Sequence, residues 1–297
     1  MKVLVVGATG ILGSEICSEL SKKGHHVRGV IRPTSDKSKV DRLKSMGVEP
    51  VEADLKETKS VEMACRGEQA VITTASITFS RQPGDSIETV DAEGQLNLVD
   101  AAKREGVRRF VYTSYSGGIS EPCPLTDAKR GVEKRVKASG LEYTILRPTY
   151  YMESWLSPSL GFDYANAKAT IYGTGEKGIS WISLFDVARF GAASLDKPEV
   201  SLNRTLELGG PKALSPLETV KIFERATGRK FAIQNVPVEA LVQQRDSAPD
   251  SLQKSFAALC LAVANGDAID MREMLKSFPM RLTSVEEYAK RVSSGAP

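Results

Sequence analysis

Six short apolar runs mark the first half of the chain: Lys2–Val6, Val27–Ile31, Val48–Val51, Ala70–Thr73, Arg109–Tyr112 and Glu142–Leu146. They are rich in Val, Ile and Leu and do not alternate with polar positions. That pattern predicts strands buried on both faces, as in a parallel sheet covered by helices. Between the runs lie stretches of helical periodicity, Leu12–Lys23, Lys37–Met46, Ser60–Cys65, Ser86–Glu105 and Thr126–Ser139. Several meet a glycine stop, at Gly24, Gly47, Gly67, Gly106 and Gly140. A β-α pair repeated five times and closed by a sixth strand implies right-handed crossovers and a doubly wound α/β sheet.

The pattern changes after Leu146. Pro148, Pro158, Gly161, Gly173, Gly175 and Gly178 interrupt the following segment. Leu184–Leu195 then reads as a helix and Thr205–Leu208 as a short strand. Ser215-Pro216-Leu217-Glu218 reads as an N-cap opening a helix to about Ala226. Phe231–Val236 is strand-like, and the remainder from Pro237 is mostly helical, with breaks at Pro249, Gly266 and Pro279. The expected organisation is a doubly wound α/β domain over 1–150 and a smaller, mostly helical lobe over 151–297 packed on it. A segment at about 180–210 is expected to return to the first domain. No internal repeat or low-complexity linker interrupts this plan.

Composition narrows the chemistry. The 297 residues carry 40 Lys+Arg against 37 Asp+Glu, a net charge of only +3. No strong field points to nucleic acid or an anionic membrane. The longest purely apolar stretch, Ala257–Ala264, is far short of the ~20 residues of a membrane span. The apolar run at Met1–Gly7 is too short for a signal peptide, so the expected location is cytoplasmic. Cys17, Cys65, Cys123 and Cys260 are widely spaced, with no CxxC pair, and read as free thiols without a metal site. The only histidines, His25 and His26, precede an apolar run and read as a polar turn, which disfavours a Ser-His-Asp or Cys-His mechanism. Lys, Tyr, Ser/Thr, carboxylates and a bound cofactor remain.

The first strand runs directly into Gly7-Ala8-Thr9-Gly10-Ile11-Leu12-Gly13 and then into an amphipathic helix. In that context the three glycines predict a dinucleotide turn. Gly7 permits the bend, Gly10 lets backbone approach a pyrophosphate, and Gly13 allows close helix–strand packing. The helix N-terminus adds free N–H groups and partial positive charge. The second strand ends in Val30-Ile31-Arg32-Pro33-Thr34-Ser35-Asp36-Lys37. A carboxylate there would select NAD. Arg32 suits a 2′-phosphate instead, with Lys37 adding charge and Ser35 a hydrogen bond. NADP is therefore the expected cofactor, with NAD as the alternative.

Several phrases resemble the NmrA-like group of atypical short-chain dehydrogenases/reductases. Besides Gly7–Gly13, Arg32 and Asp54, they are Asn97–Val111, Ser139–Thr149, Asp186-Val187-Ala188, Ser215–Glu218 and Val285–Ala289. The resemblance implies a Rossmann sheet and assigns further cofactor positions. Asp54, followed by Leu55, resembles the acidic residue at the adenine amine; capping the next helix is its other reading. Thr73, Thr74 and Ala75 resemble the backbone under the nicotinamide ribose. Pro148 and Thr149 resemble the segment that holds the carboxamide, with Tyr150 and Tyr151 just beyond.

The wider superfamily carries a Tyr four residues before a Lys on one helix face. Here Lys129 matches the Lys, but Leu125 stands in the Tyr position and has no proton to give. The NmrA-like group often keeps the Lys alone. Lys129 and Tyr115 are the candidate catalytic residues, and Ser114 and Ser116 are candidates for orienting ligand. Ile77–Pro83, Tyr115–Pro124, Tyr150–Trp155, Phe162 and Trp181 are the expected pocket walls, suited to a flat aromatic or quinone-like substrate. Such aromatics could instead join the two lobes. The functional expectation is an NADPH-dependent reductase. Its rival is a catalytically silent NADP sensor that binds a regulatory protein partner. Homodimerisation is left open.

Overall fold

The computed structural model describes residues 1–78 and 81–294. In chain order its elements are β1 (Lys2–Val6), α1 (Ile11–Lys22), β2 (His26–Ile31), α2 (Lys37–Ser45), β3 (Glu49–Glu52), α3 (Thr58–Cys65), β4 (Ala70–Thr73), a π-helical segment (Ile87–Gly94) continuing into α4 (Gln95–Arg104), β5 (Arg109–Thr113), α5 (Pro124–Ala138) and β6 (Glu142–Pro148). There follow α6 (Met152–Trp155), a 3₁₀ turn (Pro158–Leu160), β7 (Phe162–Asp163), β8 (Lys168–Tyr172), α7 (Leu184–Asp196), α8 (Pro198–Ser201), β9 (Arg204–Leu208), α9 (Pro216–Thr227), β10 (Ala232–Val236), α10 (Val238–Asp246), α11 (Ser251–Asn265), α12 (Arg272–Ser277) and α13 (Val285–Ser293).

The main sheet has the order β3-β2-β1-β4-β5-β6-β9. The pairs among β1 to β6 are parallel. The order reverses between β1 and β4, the place where a doubly wound sheet opens a crevice at its carboxyl edge. β1, β4 and β5 are buried nearly throughout, as their unbroken apolar runs require. β3 lies at the edge and is half-buried, and an edge strand tolerates its Pro50.

The chain divides into two compact units. Unit 1 comprises Met1–Ser114, Asp127–Leu146 and Val187–Leu206, and unit 2 comprises Tyr115–Thr126, Arg147–Asp186 and Glu207–Pro297. Unit 2 contains a feature that the proline- and glycine-rich pattern after Leu146 did not signal, a second sheet of order β10-β8-β7. β8 pairs parallel to β10 and antiparallel to the two-residue β7. β10, expected as a strand within Phe231–Val236, is largely exposed. Phe162, Phe223 and Phe231 pack beneath this sheet with ring centroids 4.7 and 5.7 Å from Phe162.

The continuous helix expected over Ser86–Glu105 is divided in the structure. Ile87–Gly94 is π-helical and only Gln95–Arg104 is α-helical. Ser86 caps the segment through a reciprocal pair of bonds with Thr89. A Cβ on Gly94 would lie 2.8 Å from the Leu55 Cβ, so the end of the π-helical segment packs tightly over the loop after β3. Asp91, within this segment, is fully buried.

Candidate nucleotide site and the family

β1 delivers the chain into the glycine turn. Gly7 adopts φ +87°, and a Cβ there would lie 2.7 Å from Thr74 Oγ1 and 2.9 Å from the Ala75 nitrogen. A Cβ on Gly13 would lie 2.1 Å from the Gly7 carbonyl oxygen. Both positions therefore require glycine. Gly10 differs: its Cβ would meet only the Gly7 carbonyl, at 3.2 Å, and otherwise points into open space. The Gly10 N–H donates to the Gly7 carbonyl and Ser14 N–H to the Gly10 carbonyl. The N-cap residue of α1 is Gly10, which has no side chain to cap the helix. The amides of Ile11, Leu12 and Gly13 thus open the helix without intrahelical acceptors, and Ile11 is 67% exposed. Thr9 and Leu12 are half-buried beside them. An uncapped helix start behind an open glycine fits a pyrophosphate.

Thr73, Thr74 and Ala75 leave β4 alongside this turn. Fully buried Gln95 ties them down: Thr73 Oγ1 donates to Gln95 Oε1 at 3.1 Å, and Gln95 Nε2 donates to the Ala75 carbonyl at 2.9 Å. Thr74 N–H donates to the Val6 carbonyl. Gln95 had no signal of its own inside a predicted helix.

At the carboxyl end of β2, Arg32 N–H donates to Ser35 Oγ. The Arg32 guanidinium pairs with Asp85 Oδ2 at 2.7 Å. Lys56 Nζ takes the other oxygen of Asp85 at 2.5 Å and lies 3.1 Å from Asp54 Oδ2. Burial alone would push the Asp85 carboxyl up, but Lys56 and Arg32 outweigh it and hold Asp85 below its ordinary value. Burial would likewise lower Lys56, but Asp85 and Asp54 raise it. Asp54 does not cap α3, whose N-cap is Glu57; its Oδ1 accepts the Lys56 N–H. Leu55 is buried beneath Gly94. Lys37 is exposed at the first turn of α2, which Asp36 caps. Sequence reasoning missed Lys56 and Asp85, which lie far apart in sequence and meet only in the fold.

Lys129 is not a solvated helix lysine. It is 5% exposed, with Nζ 3.5 Å from Asp91 Oδ1 and 5.5 Å from the Tyr112 ring centroid. Asp91 Oδ2 accepts the Ile77 N–H at 3.1 Å. Ser114 is engaged inward: its hydroxyl donates to Glu133 Oε1 at 2.6 Å and its N–H donates to the Leu146 carbonyl. These residues all belong to unit 1, as do the glycine turn, Arg32 and Asp54.

Of the remaining expected site residues, all but the Ile77–Pro83 segment belong to unit 2. The Tyr115 hydroxyl donates to Thr126 Oγ1 at 2.6 Å, and Thr126 donates onward to the Glu121 carbonyl. Leu125 is buried, with its N–H on Ser255 Oγ. Thr149 N–H donates to the Leu208 carbonyl, and Ser116 N–H to the Pro148 carbonyl. Tyr151 is half-buried ahead of α6. Tyr150 lies against both tryptophans, 5.0 Å from Trp155 and 6.1 Å from Trp181. Phe162 and Trp181, expected as pocket walls, are packed in the core of this unit. Within the Ile77–Pro83 segment, Phe79 and Ser80 lie outside the described residues. Ser116 Oγ donates to buried Asp267 at 3.0 Å, and burial pushes the Asp267 carboxyl up to about 6 against that bond.

A family model for NmrA-like proteins matches residues 1–289. The chain belongs to the NmrA-like family. Among similar proteins, the isoflavone reductase homolog IRL of Zea mays is 29% identical over 98% of this chain and 97% of its own length. The photosystem II assembly factor Ycf39 of Synechocystis is also 29% identical, over 97% of this chain and 89% of its own. Among solved structures, the NADPH-dependent quinone oxidoreductase QOR2 of Escherichia coli, complexed with NADPH, superposes with a TM-score of 0.79 at 21% identity, covering 98% of this chain and 99% of that one. The fold is that of NAD(P)-binding reductases. Among the described residues no helix is long and apolar enough to cross a membrane.

Proposed function

We infer that the protein is an NADPH-dependent reductase that transfers hydride to an aromatic or quinone-like acceptor. The observation that carries this reading is the uncapped glycine turn at the end of β1 beside Arg32 at the end of the neighbouring β2. The amides at the start of α1 would hold the pyrophosphate, and Arg32 would hold the 2′-phosphate. Asp54 and Leu55 would border the adenine, and the backbone at Thr73–Ala75, fixed by Gln95, would border the ribose. Pro148, Thr149 and Tyr151 are assigned to the carboxamide side on family resemblance. The cofactor supplies the hydride. Lys129 supplies a fixed positive charge, held by Asp91, for ribose hydroxyls and for an oxyanion developing on the acceptor. The Tyr115 hydroxyl donates its hydrogen bond to Thr126, so Tyr115 is assigned no proton-transfer role. Reduction of a quinone needs no strong protein acid, since the product oxygens can take protons from water; buried Leu125 is compatible with that chemistry.

The names of the quinone oxidoreductase and isoflavone reductase relatives support the reductase reading. The assembly-factor relatives and apolar Leu125 favour a second reading, an NADP sensor that binds a protein partner and turns nothing over. Steady-state NADPH oxidation against a panel of quinones, dyes and enones, beside NADPH affinity, tests both. Binding with turnover supports the reductase, binding without turnover the sensor, and absence of binding overturns both.

A further inference from the structure

The cation pair beside the glycine turn includes a residue that neither the sequence motif nor the family resemblance assigned. We propose that Lys56 is a second determinant of NADP selectivity, held beside Arg32 by a shared carboxylate so that the two cations clasp one phosphate monoester. This rests on the cofactor reading above. Arg32 follows β2 and Lys56 follows β3, adjacent strands whose carboxyl ends lie at one edge of the sheet. One oxygen of Asp85 takes the guanidinium at 2.7 Å and the other takes Lys56 Nζ at 2.5 Å. The two cations therefore stand side by side.

Asp85 is an anchor and not a competing surface charge. Its side chain is 1% exposed, whereas Arg32 and Lys56 keep 23% and 25% of theirs in solvent. Its place is itself fixed. The Gln82 N–H donates to Asp85 Oδ2 at 2.9 Å, and the Asp85 N–H returns to the Gln82 carbonyl at 3.0 Å. Thr34 Oγ1 donates to Gln82 Oε1 at 2.5 Å, so this turn is tied to the loop that carries Arg32. Lys56 is pinned from its other side by Asp54. Long cationic side chains lose rotamer freedom when they bind an anion, and here much of that ordering precedes binding. A phosphate monoester has several strong acceptor oxygens, enough to engage a planar guanidinium and an ammonium together.

The test is calorimetric titration of the full chain with adenosine 2′,5′-bisphosphate and with 5′-AMP, probes that differ only in the 2′-phosphate. Wild type, Lys56→Gln, Lys56→Arg and Arg32→Gln are compared. Lys56→Gln should lose about tenfold in affinity for the bisphosphate and stay within about twofold for 5′-AMP. Lys56→Arg should keep most of the preference. Unchanged 5′-AMP binding also shows that the loop remains folded. A Lys56→Gln protein that retains the full preference overturns the proposal and leaves the Arg32 reading standing. Equal losses for both probes also overturn it, because Lys56 would then only shape the loop. A wild type with no preference for the bisphosphate overturns the NADP reading and this inference together.

Discussion

Replacing Lys129 with methionine keeps the length of the side chain and most of its packing but removes its charge. What remains is Asp91, fully buried, with the Ile77 N–H as the one hydrogen-bond donor to it among the described residues. Lys129 is the cation the structure places against the other oxygen, at 3.5 Å. Removing one partner of a buried pair costs about 3–5 kcal/mol, because the surviving charge keeps its desolvation penalty and loses its compensation. Total stability of a typical domain is about 5–15 kcal/mol, so the loss should be large in urea unfolding followed by far-ultraviolet circular dichroism at pH 7. Adding Asp91→Asn should recover most of it, since the neutral amide still accepts from Ile77. The same two proteins separate stability from function: the double variant should be nearly as stable as wild type yet still weak for NADPH. A Lys129→Met midpoint corresponding to less than about 1 kcal/mol, or no recovery with Asp91→Asn, would refute the buried-pair argument.

Gly10→Val should abolish nucleotide binding in calorimetry while the circular dichroism stays native, because its Cβ meets only the Gly7 carbonyl. Gly13→Ala should instead lower the melting temperature sharply, since its Cβ would collide with that same carbonyl at 2.1 Å. Arg32→Ala should weaken NADPH by about tenfold or more and leave NADH nearly unchanged; equal wild-type affinities would sink the 2′-phosphate assignment. Asp267 gives a pH prediction. Its folded value, about 6, lies above its ordinary 3.8, so folding favours its protonated form and stability contributed by the protonated group is lost as pH rises between those values. The stability difference between Asp267→Asn and wild type should therefore grow in favour of the variant from about pH 4 to about pH 6 and then level off, as read from urea midpoints.

Much of unit 1 was legible because its cues are local. Unbroken apolar runs mark β1, β4 and β5, and the glycine turn between β1 and α1 has a backbone requirement at Gly7 and Gly13 that few other residues meet. The π-helical segment was not legible, since helical periodicity does not distinguish an i→i+5 from an i→i+4 turn over two turns. β7 and β8 were missed because two- and five-residue strands among glycines carry little pattern, whereas β10 lies within the strand-like segment Phe231–Val236. Gly7, Gly10 and Gly13 could be named from sequence because a single short segment carries them. Arg32 could be named, but its partners Asp85 and Lys56 could not, because folding alone brings them together across the β2, β3 and β4 loops. Lys129 was named from its resemblance to the family's Lys segment; its burial beside Asp91 was not legible, because folding alone brings α5 against the π-helical segment.

The chain has two tryptophans, and both Trp155 and Trp181 lie in unit 2, packed around Tyr150. Intrinsic emission excited selectively at long wavelength therefore reports on that unit alone, while unit 1, where the nucleotide is proposed to bind, is silent in the same channel. Circular dichroism averages over both. Coincident melting curves from the two signals would identify one cooperative transition. A shift of both by NADPH would mean that a ligand assigned to the tryptophan-free unit also stabilises the unit that emits.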